Sequence, residues 1–432
     1  MQESEIRSRI DNRGWGSFFN KLWMGCGLGW MSDAMSIAAL GLMLPLILTD
    51  LDLDRSEGAL IVSATFVGFM VGALVSGRLA DILGRRTLLI GNIVLFSLAA
   101  LATGFAQDFW MLLIFRFIQG LGMGGEFPII SAYLSELSPR RYRDRLVGLT
   151  SAFYAYAFAL TPLIGLLLVP MLGWRGLFCS LVIPVVFAIW IRRSLPETPV
   201  FLARKGRFAE AENALVLIEQ GSTRKVEEFT QEVDGGPHGG QLLSGRTVTL
   251  IIIWVLIFFS QYGFASWIPT AINEVGGKES SGYLLTSVLF SGMIVGYLLT
   301  SFLGDRFTPR ALLTFAFVEF GVSLLLFGFS ADLVPMMIFG WLASAGYGFT
   351  TIAAYSYTPR QFKTSVRGTG MGIVTGIGRV GAIFGPLIVA WLSPIGSLGA
   401  SFVAFGIASL VIVVLVQFLT VRTGTRTPVA VH

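Results

Sequence analysis

Cysteine, histidine and charge are all scarce in this sequence, and each scarcity excludes something. The two cysteines, Cys26 and Cys179, both fall within apolar stretches, so no disulfide framework is expected. The two histidines, His238 and His432, lie in polar segments, which argues against a histidine metal site. Charged residues make up 13% of the 432, against 54% hydrophobic, whereas soluble proteins carry roughly 25% charge. With a mean hydropathy of +0.73, this is not the composition of an ordinary soluble domain. No Gly-x-x-x-x-Gly-Lys-Ser/Thr loop occurs to cradle phosphates, which leaves ATP-driven chemistry unsupported. No nucleophile, base and metal constellation stands out either, so an enzyme is not expected.

What the sequence has instead is about a dozen apolar stretches, each near the roughly 20 residues a helix needs to cross a bilayer. They are read near 23–49, 58–79, 88–106, 110–135, 146–171, 174–193, 247–272, 281–303, 311–330, 333–357, 366–391 and 398–420. All should be helices, because lipid offers no partner to backbone polar groups. Their connectors alternate in charge. Arg85/Arg86, Arg140/Arg141/Arg143/Arg145, Arg306/Arg310 and Arg360/Lys363/Arg367 occupy every second one, and Asp50/Asp52/Asp54/Glu57, Asp108, Glu274/Glu279 and Asp332 occupy the others. Basic loops stay cytoplasmic, which predicts a multi-pass protein of the plasma (inner) membrane with both termini cytoplasmic. The net charge of +5 then reflects orientation and contact with anionic lipid, not nucleic-acid binding. No cleavable signal peptide is expected, since polar residues precede an overlong apolar run.

The stretch 194–246 differs. It carries Arg204/Lys205/Arg207, Glu210, Glu212 and Glu227/Glu228, an amphipathic pattern from Ala209 to Ile218, and Gly-Gly-Pro-His-Gly-Gly at 235–240. It reads as a cytoplasmic linker with short surface helices, between one six-helix bundle over 1–193 and another over 247–432. The two halves echo each other. Asp81 opens a short loop after the second span and Asp305 does so after the eighth; Ser138-Pro139-Arg140-Arg141-Tyr142-Arg143 follows the fourth span and Thr358-Pro359-Arg360-Gln361-Phe362-Lys363 the tenth. Such near-equal offsets argue for a duplicated unit, and parallel repeats with a midplane site between them suit alternating access. The expected fold is an all-α integral membrane protein with twelve helices in two pseudo-symmetric six-helix bundles.

Gly77-Arg78-Leu79-Ala80-Asp81-Ile82-Leu83-Gly84-Arg85-Arg86 resembles the loop signature of the major facilitator superfamily, G-x-L-A-D-[RK]-x-G-R-[RK], with Ile82 where a base is usual. Gly304-Asp305-Arg306-Phe307-Thr308-Pro309-Arg310 is a degraded second copy. An acid at a helix end beside fixed guanidinium groups makes a charge latch. Its expected members are Gly77, Asp81, Gly84, Arg85 and Arg86 with Glu136, Arg143, Asp305 and Arg306. Arg116-Phe117-Ile118-Gln119-Gly120 with Glu136, Leu195-Pro196-Glu197-Thr198-Pro199, and Val366-Arg367-Gly368-Thr369-Gly370 resemble elements of sugar porters, organic-ion transporters and synaptic-vesicle-glycoprotein-like proteins. Two G-x-G-x-x-G matches, at Gly120–Gly125 and Gly376–Gly381, lie inside apolar helices. A dinucleotide fingerprint needs a strand before it, so close helix packing explains them better and no cofactor is expected.

Ionisable residues inside spans are costly and mark functional positions. Asp33, Arg116, Glu126, Glu319 and Arg379 are the candidates. Asp33 is the first choice of proton carrier. A carboxyl that exchanges apolar surroundings for the neighbourhood of Arg116 binds and releases a proton, and the alternative is a static pair joining the first and fourth spans. Asp33 matches the first acid of the D-G-[FY]-D of aromatic-acid symporters, and Ser36 stands at the second acid. Glu126 is the rival coupling acid; Glu319, in the ninth span, reads as structural. Arg379 in the eleventh span is placed to hold a carboxylate with its planar fork of donors. Gln119, Tyr154, Gln261, Tyr262, Trp267 and Tyr355 are candidates to complete a ring-binding pocket.

These features predict a secondary transporter importing a small organic anion with protons, working as a monomer. The resemblance is nearest to bacterial nicotinate transporters and aromatic-acid symporters, which implies nicotinate or a related monocarboxylate. The alternatives are a sugar or organic-cation porter of the same fold, or a membrane protein that senses a substrate without moving it.

Overall fold

The computed structural model describes residues 3–224, 244–276, 279–303, 306–362, 367–392 and 398–421. The chain divides into two units, Met1–Val233 and Asp234–His432. The first contains α1 (Glu3–Asp11), β1 (Arg13–Gly14), α2 (Ser17–Asp50), α3 (Arg55–Leu83), α4 (Arg85–Gly104), α5 (Phe109–Gly124) and α6 (Glu126–Leu137). It continues through α7 (Arg140–Ser180), α8 (Pro184–Ser194), α9 (Pro199–Arg204), α10 (Phe208–Gln220) and β2 (Thr223–Arg224). The second contains α11 (Gly245–Gly276), α12 (Glu279–Leu303), α13 (Pro309–Phe329), α14 (Leu333–Tyr357), a 3₁₀ turn (Thr358–Gln361), α15 (Arg367–Gly378), α16 (Val380–Leu392) and α17 (Leu398–Val421). The only sheet among the described residues is the two-residue antiparallel ladder of β1 with β2.

Among the described residues, 10 helices are long and apolar enough to cross a membrane. The span expected at 110–135 is divided at Gly125 into α5 and α6. Those expected at 146–171 and 174–193 run on through α7, where Gly173 bends the path with a left-handed φ of 64°. A short turn at Leu181-Val182-Ile183 follows, and α8 restarts on Pro184, whose missing N–H is no loss in a first helical turn. The eleventh span is likewise broken, at Arg379, between α15 and α16.

The acids of the connectors act first as helix caps. Asp54 accepts the Glu57 N–H at 2.8 Å while the Glu57 carboxylate accepts the Asp54 N–H at 2.9 Å, a reciprocal capping box that starts α3. Asp108 accepts the Met111 N–H at 2.8 Å to start α5.

Glycine sets how closely the helices approach. A Cβ on Gly68 or Gly72 of α3 would overlap the Phe117 or Leu121 carbonyl of α5, and one on Gly120 or Gly124 of α5 would overlap the Thr65 or Phe69 carbonyl of α3. In the second unit, Gly292 and Gly296 of α12 lie against the Trp341 and Ala345 carbonyls of α14. Gly292 and Gly296 stand to Asp305 in the sequence as Gly68 and Gly72 stand to Asp81, so the duplicated units repeat the same backbone-to-backbone contact. Gly378, Gly381 and Gly385 similarly lay α15 and α16 on Trp254, Val255 and Phe259 of α11.

The first unit carries a polar layer at the end where α1, α9 and α10 gather. Arg9 binds Glu212 at 2.7 Å and Glu219 at 3.0 Å, Arg13 binds Glu219 at 2.8 Å, Arg204 binds Glu3 at 2.9 Å, and Arg140 reaches Asp11 at 3.4 Å. Ile6 and Ile10 of α1, and Ala211, Ala214, Leu215 and Ile218 of α10, are buried, so each short helix buries one apolar face. Of the 194–246 segment, residues 194–224 are built into this first unit, and residues 244–246 lead into α11 of the second.

Candidate functional site

The loop after α3 folds into a compact ionic knot. Gly84 takes a left-handed φ of 97° and ends α3. Arg85 then donates from Nη2 to Asp81 at 3.0 Å, from Nε to Glu136 at 3.0 Å and from Nη1 to the Ala80 carbonyl at 3.1 Å. Glu197, from the Leu195–Pro199 element, accepts the backbone N–H groups of Arg85 at 3.0 Å, Arg86 at 3.1 Å and Thr87 at 3.4 Å. A carboxylate there serves the unsatisfied donors and positive end of α4. A Cβ on Gly84 would overlap the Glu197 carboxylate, so the glycine is needed for both its φ and its emptiness. Phe201 lies under Arg85, 5.7 Å from the guanidinium carbon to the ring centroid, and the Tyr133 hydroxyl donates to the Pro196 carbonyl. Arg143 and Arg7 donate to the Ser135 carbonyl at 3.1 and 2.9 Å, Arg7 also to that of Glu136 at 3.3 Å, completing the last turn of α6.

Asp81, Gly84, Arg85, Arg86, Glu136 and Arg143 thus meet at one end of the first unit. Gly77 faces open space; Arg306 is exposed beside the end of α12; Asp305 lies outside the described residues. Glu197 was not singled out in the sequence. The signal available was its place in the Pro-Glu-Thr-Pro element, but nothing local says which helix end its carboxylate reaches.

Deeper in the first unit, Asp33, Arg116, Gln119 and Glu126 are all 0% exposed. Arg116 donates to Thr65 Oγ1 at 3.3 Å, to the Ser36 carbonyl at 3.4 Å and to Gln119 Oε1, with Phe178 5.4 Å from its guanidinium carbon. It therefore joins α5 to α2 through the backbone of Ser36, the position where a second acid was sought. Glu126 opens α6 just after the Gly125 break. Its Oε1 rests over Gly29 of α2, one turn before Asp33, 2.6 Å from where a Cβ would be. Tyr154 of α7 is buried, 5.4 Å from the Trp30 ring and 5.1 Å from that of Phe158.

In the second unit, Arg379 sits at the α15/α16 break and is 8% exposed. Its Nη1 donates to the Tyr262 hydroxyl at 2.9 Å, and its guanidinium carbon lies 4.5 Å from the Phe258 ring centroid and 5.8 Å from that of Tyr262. Trp254, Phe258 and Tyr262 recur at one-turn intervals along α11, which puts them on one face; Tyr355 of α14 packs on Trp254 at 4.8 Å. The Phe258 ring lies 5.2 Å from that of Trp254 and 5.7 Å from that of Tyr262, so these groups share one neighbourhood. The sites where Cβ atoms of Gly372 and Gly376 would stand are open space, leaving α15 without bulk on the turns that precede Arg379.

Three other candidates lie among the packed helices of the second unit. Gln261 donates to Thr350 Oγ1 and Thr351 Oγ1 at 3.0 Å each and to the Tyr347 carbonyl at 3.4 Å, tying α11 to α14. Trp267 is 0% exposed. Glu319 of α13 accepts from Ser323 at 3.2 Å and lies against Gly346 of α14.

The Major Facilitator Superfamily model matches residues 26–298 and 250–430. The chain is 30% identical over 399 residues to the niacin transporter NiaP of Acinetobacter baylyi, covering 89% of this chain and 90% of that protein. It is 29% identical over 379 residues to the 4-hydroxybenzoate transporter of the same organism, covering 84% and 81%. The partially occluded, inward-open xylose transporter of E. coli superposes with a TM-score of 0.75 at 17% identity, covering 93% of this chain and 99% of that one, a likeness of fold.

Proposed function

The chain belongs to the Major Facilitator Superfamily, and on that premise we propose that this multi-pass membrane transporter imports a small organic anion, nicotinate or a related aromatic monocarboxylate, together with protons by alternating access. The observation that carries the reading is the Arg379 site. A guanidinium offers two parallel N–H donors to a carboxylate, and this one is held against the Phe258 ring and the Tyr262 hydroxyl. The planar ring of an aromatic acid fits the same aromatic surroundings, supplied by Trp254, Tyr262 and Tyr355 and left open at Gly372 and Gly376. The niacin and 4-hydroxybenzoate transporters among the relatives carry cargo that combines a ring with a carboxylate. Asp33 and Glu126 supply the proton sites, and Arg116, fixed on Ser36, Thr65 and Gln119, orders the helices that bear them. The basic connectors support a reading with both termini on the cytoplasmic side of the plasma membrane, and a monomer is the proposed working unit.

The test is uptake of radiolabelled nicotinate into proteoliposomes, with and without an inward proton gradient. Accumulation that collapses with the gradient supports the reading, and Arg379→Ala should abolish it in a protein that still purifies as a monodisperse species. No uptake of nicotinate, benzoate or 4-hydroxybenzoate by the folded wild type would remove it.

A further inference from the structure

Resting on that reading, with the ionic knot around Arg85 as its latch, we infer that Arg7 and Asp11 of α1 are positioning residues of the latch. They hold Glu136 where it meets Arg85, and through Glu136 the N-terminal helix governs the rate of transport rather than the fit of the substrate.

Glu136 stands in the last turn of α6, just before the Ser138-Pro139 corner that leads into α7. Both helix ends at that corner leave backbone groups open, carbonyls on α6 and N–H groups on α7. Pro139, the residue before α7, gives no side-chain cap. Helix α1 serves both ends. Arg7 donates from Nη1 to the Ser135 carbonyl at 2.9 Å and to the Glu136 carbonyl at 3.3 Å. Asp11 lies one turn further along α1, on the same face. It accepts the Arg140 N–H at 2.9 Å, and its other oxygen lies 3.4 Å from Arg140 Nε. Each charge has the sign its helix end favours: a cation at the end of α6 and an anion at the start of α7.

Glu136 is thereby gripped at two points. Arg7 of α1 takes its backbone carbonyl, and Arg85 donates from Nε to its carboxylate at 3.0 Å. Arg143 also donates to the Ser135 carbonyl, at 3.1 Å, so the end of α6 keeps a partner when Arg7 is removed. What α1 adds is placement. It can do so because it is anchored away from the knot. Ile6 and Ile10 are 0% exposed, and Arg9 binds Glu212 and Glu219 of α10. The chain that follows is fixed by the β1–β2 ladder and by Arg141, which donates to the Arg13 carbonyl at 2.6 Å. A latch that forms and releases in each transport cycle sets the speed of the cycle. The Arg379 site belongs to the other unit, so loosening the clamp leaves substrate binding unchanged.

The experiment reconstitutes the full chain in proteoliposomes and measures counterflow exchange of labelled nicotinate over a range of concentrations. Arg7→Ala should lower the maximal rate about fivefold, the effect of an ordinary hydrogen bond, and leave the half-saturating concentration within about twofold. Arg7→Lys, which keeps a cation at the end of α6, should restore part of the rate. Glu136→Gln should lower the rate in the same manner. Adding Arg7→Ala to Glu136→Gln should cost little more, because effects that run through one residue do not add. If Arg7→Ala does not purify as a folded protein, Asp11→Asn goes through the same cycle with the same expectation. A wild-type rate in the α1 variant, a multiplied loss in the double variant, or a change confined to half-saturation would each overturn the inference. Full-rate exchange in Glu136→Gln overturns the latch reading instead, and a wild type that does not exchange overturns the anion reading, each taking this inference with it.

Discussion

The Glu197 carboxylate lies where a side chain on Gly84 would have to be, and from there it closes the amino end of α4. Gly84 also holds a φ of 97°, a conformation that costs a residue with a Cβ about 1–3 kcal/mol at a strained position. Gly84→Ala should therefore lower the melting temperature in detergent and displace Glu197. Glu197→Gln, which keeps the shape and removes the charge, should cost less, about 0.3–1 kcal/mol for a charge at a helix end. A Gly84→Ala protein that melts with the wild type would show that the knot tolerates rearrangement.

The eleventh span offers a paired comparison. A Cβ at Gly381 would overlap the Val255 carbonyl, whereas nothing stands within 4 Å of one at Gly376. Backbone cannot yield as a side-chain tip can, so Gly381→Ala should destabilise by about 1–3 kcal/mol as an overpacked core does. Gly376→Ala should fold like the wild type and, by adding a methyl group to the open side of α15, weaken binding of ring acids. Equal thermal stability of the two variants would contradict the close approach of Gly381 to the Val255 carbonyl.

Arg379→Lys separates charge from geometry. Lysine keeps the positive charge but loses the planar fork and the stacking on Phe258. Nicotinate affinity, measured by competition or calorimetry on the purified protein, should fall about tenfold or more. Tyr262→Phe removes the hydroxyl that accepts from Arg379 Nη1 and should weaken binding by a smaller factor. Full affinity in Arg379→Lys would leave only a point charge in the site.

The docking of α1 depends on ionised acids. Arg9 holds the Glu212 and Glu219 carboxyls below their ordinary range through direct hydrogen bonds. A lowered carboxylate value contributes stability that is complete above the unfolded-state value and is lost as pH falls through the folded one. Hydrogen exchange in α1 should thus be slow at neutral pH and faster below the ordinary carboxylate range. It should also quicken in high salt, since part-exposed pairs contribute about 0–1 kcal/mol each and are screened. Arg9→Ala should give the fast behaviour already at neutral pH. Exchange that ignores both pH and salt would assign the docking to Ile6 and Ile10 alone.

Much of this protein was legible in the sequence, because a bilayer leaves few ways to satisfy a backbone. Apolar runs of helix-spanning length, with basic residues in alternate connectors, suffice to indicate a polytopic α-helical chain, and the recurrence of Asp81 as Asp305 and of Pro139 as Pro359 indicates its duplication. The Gly-Arg-Leu-Ala-Asp loop could be singled out by its resemblance to a family signature, and Arg379 because charge is rare within the spans of such a chain. Which partner each polar group meets could not be found that way. Glu197 reaches α4 from more than a hundred residues away, Gln261 turns to α14, and Arg116 takes the Ser36 carbonyl. Those pairings depend on helix rotation and on the close approaches that individual glycines permit, and they exist only once the helices pack. The sequence by itself therefore determined the solvent, the number of crossings and the kind of chemistry available, because those follow from local hydropathy and charge. The tertiary structure alone decided that Glu126 rests on Gly29 and Arg379 against Tyr262, because proximity between distant residues is a property of packing.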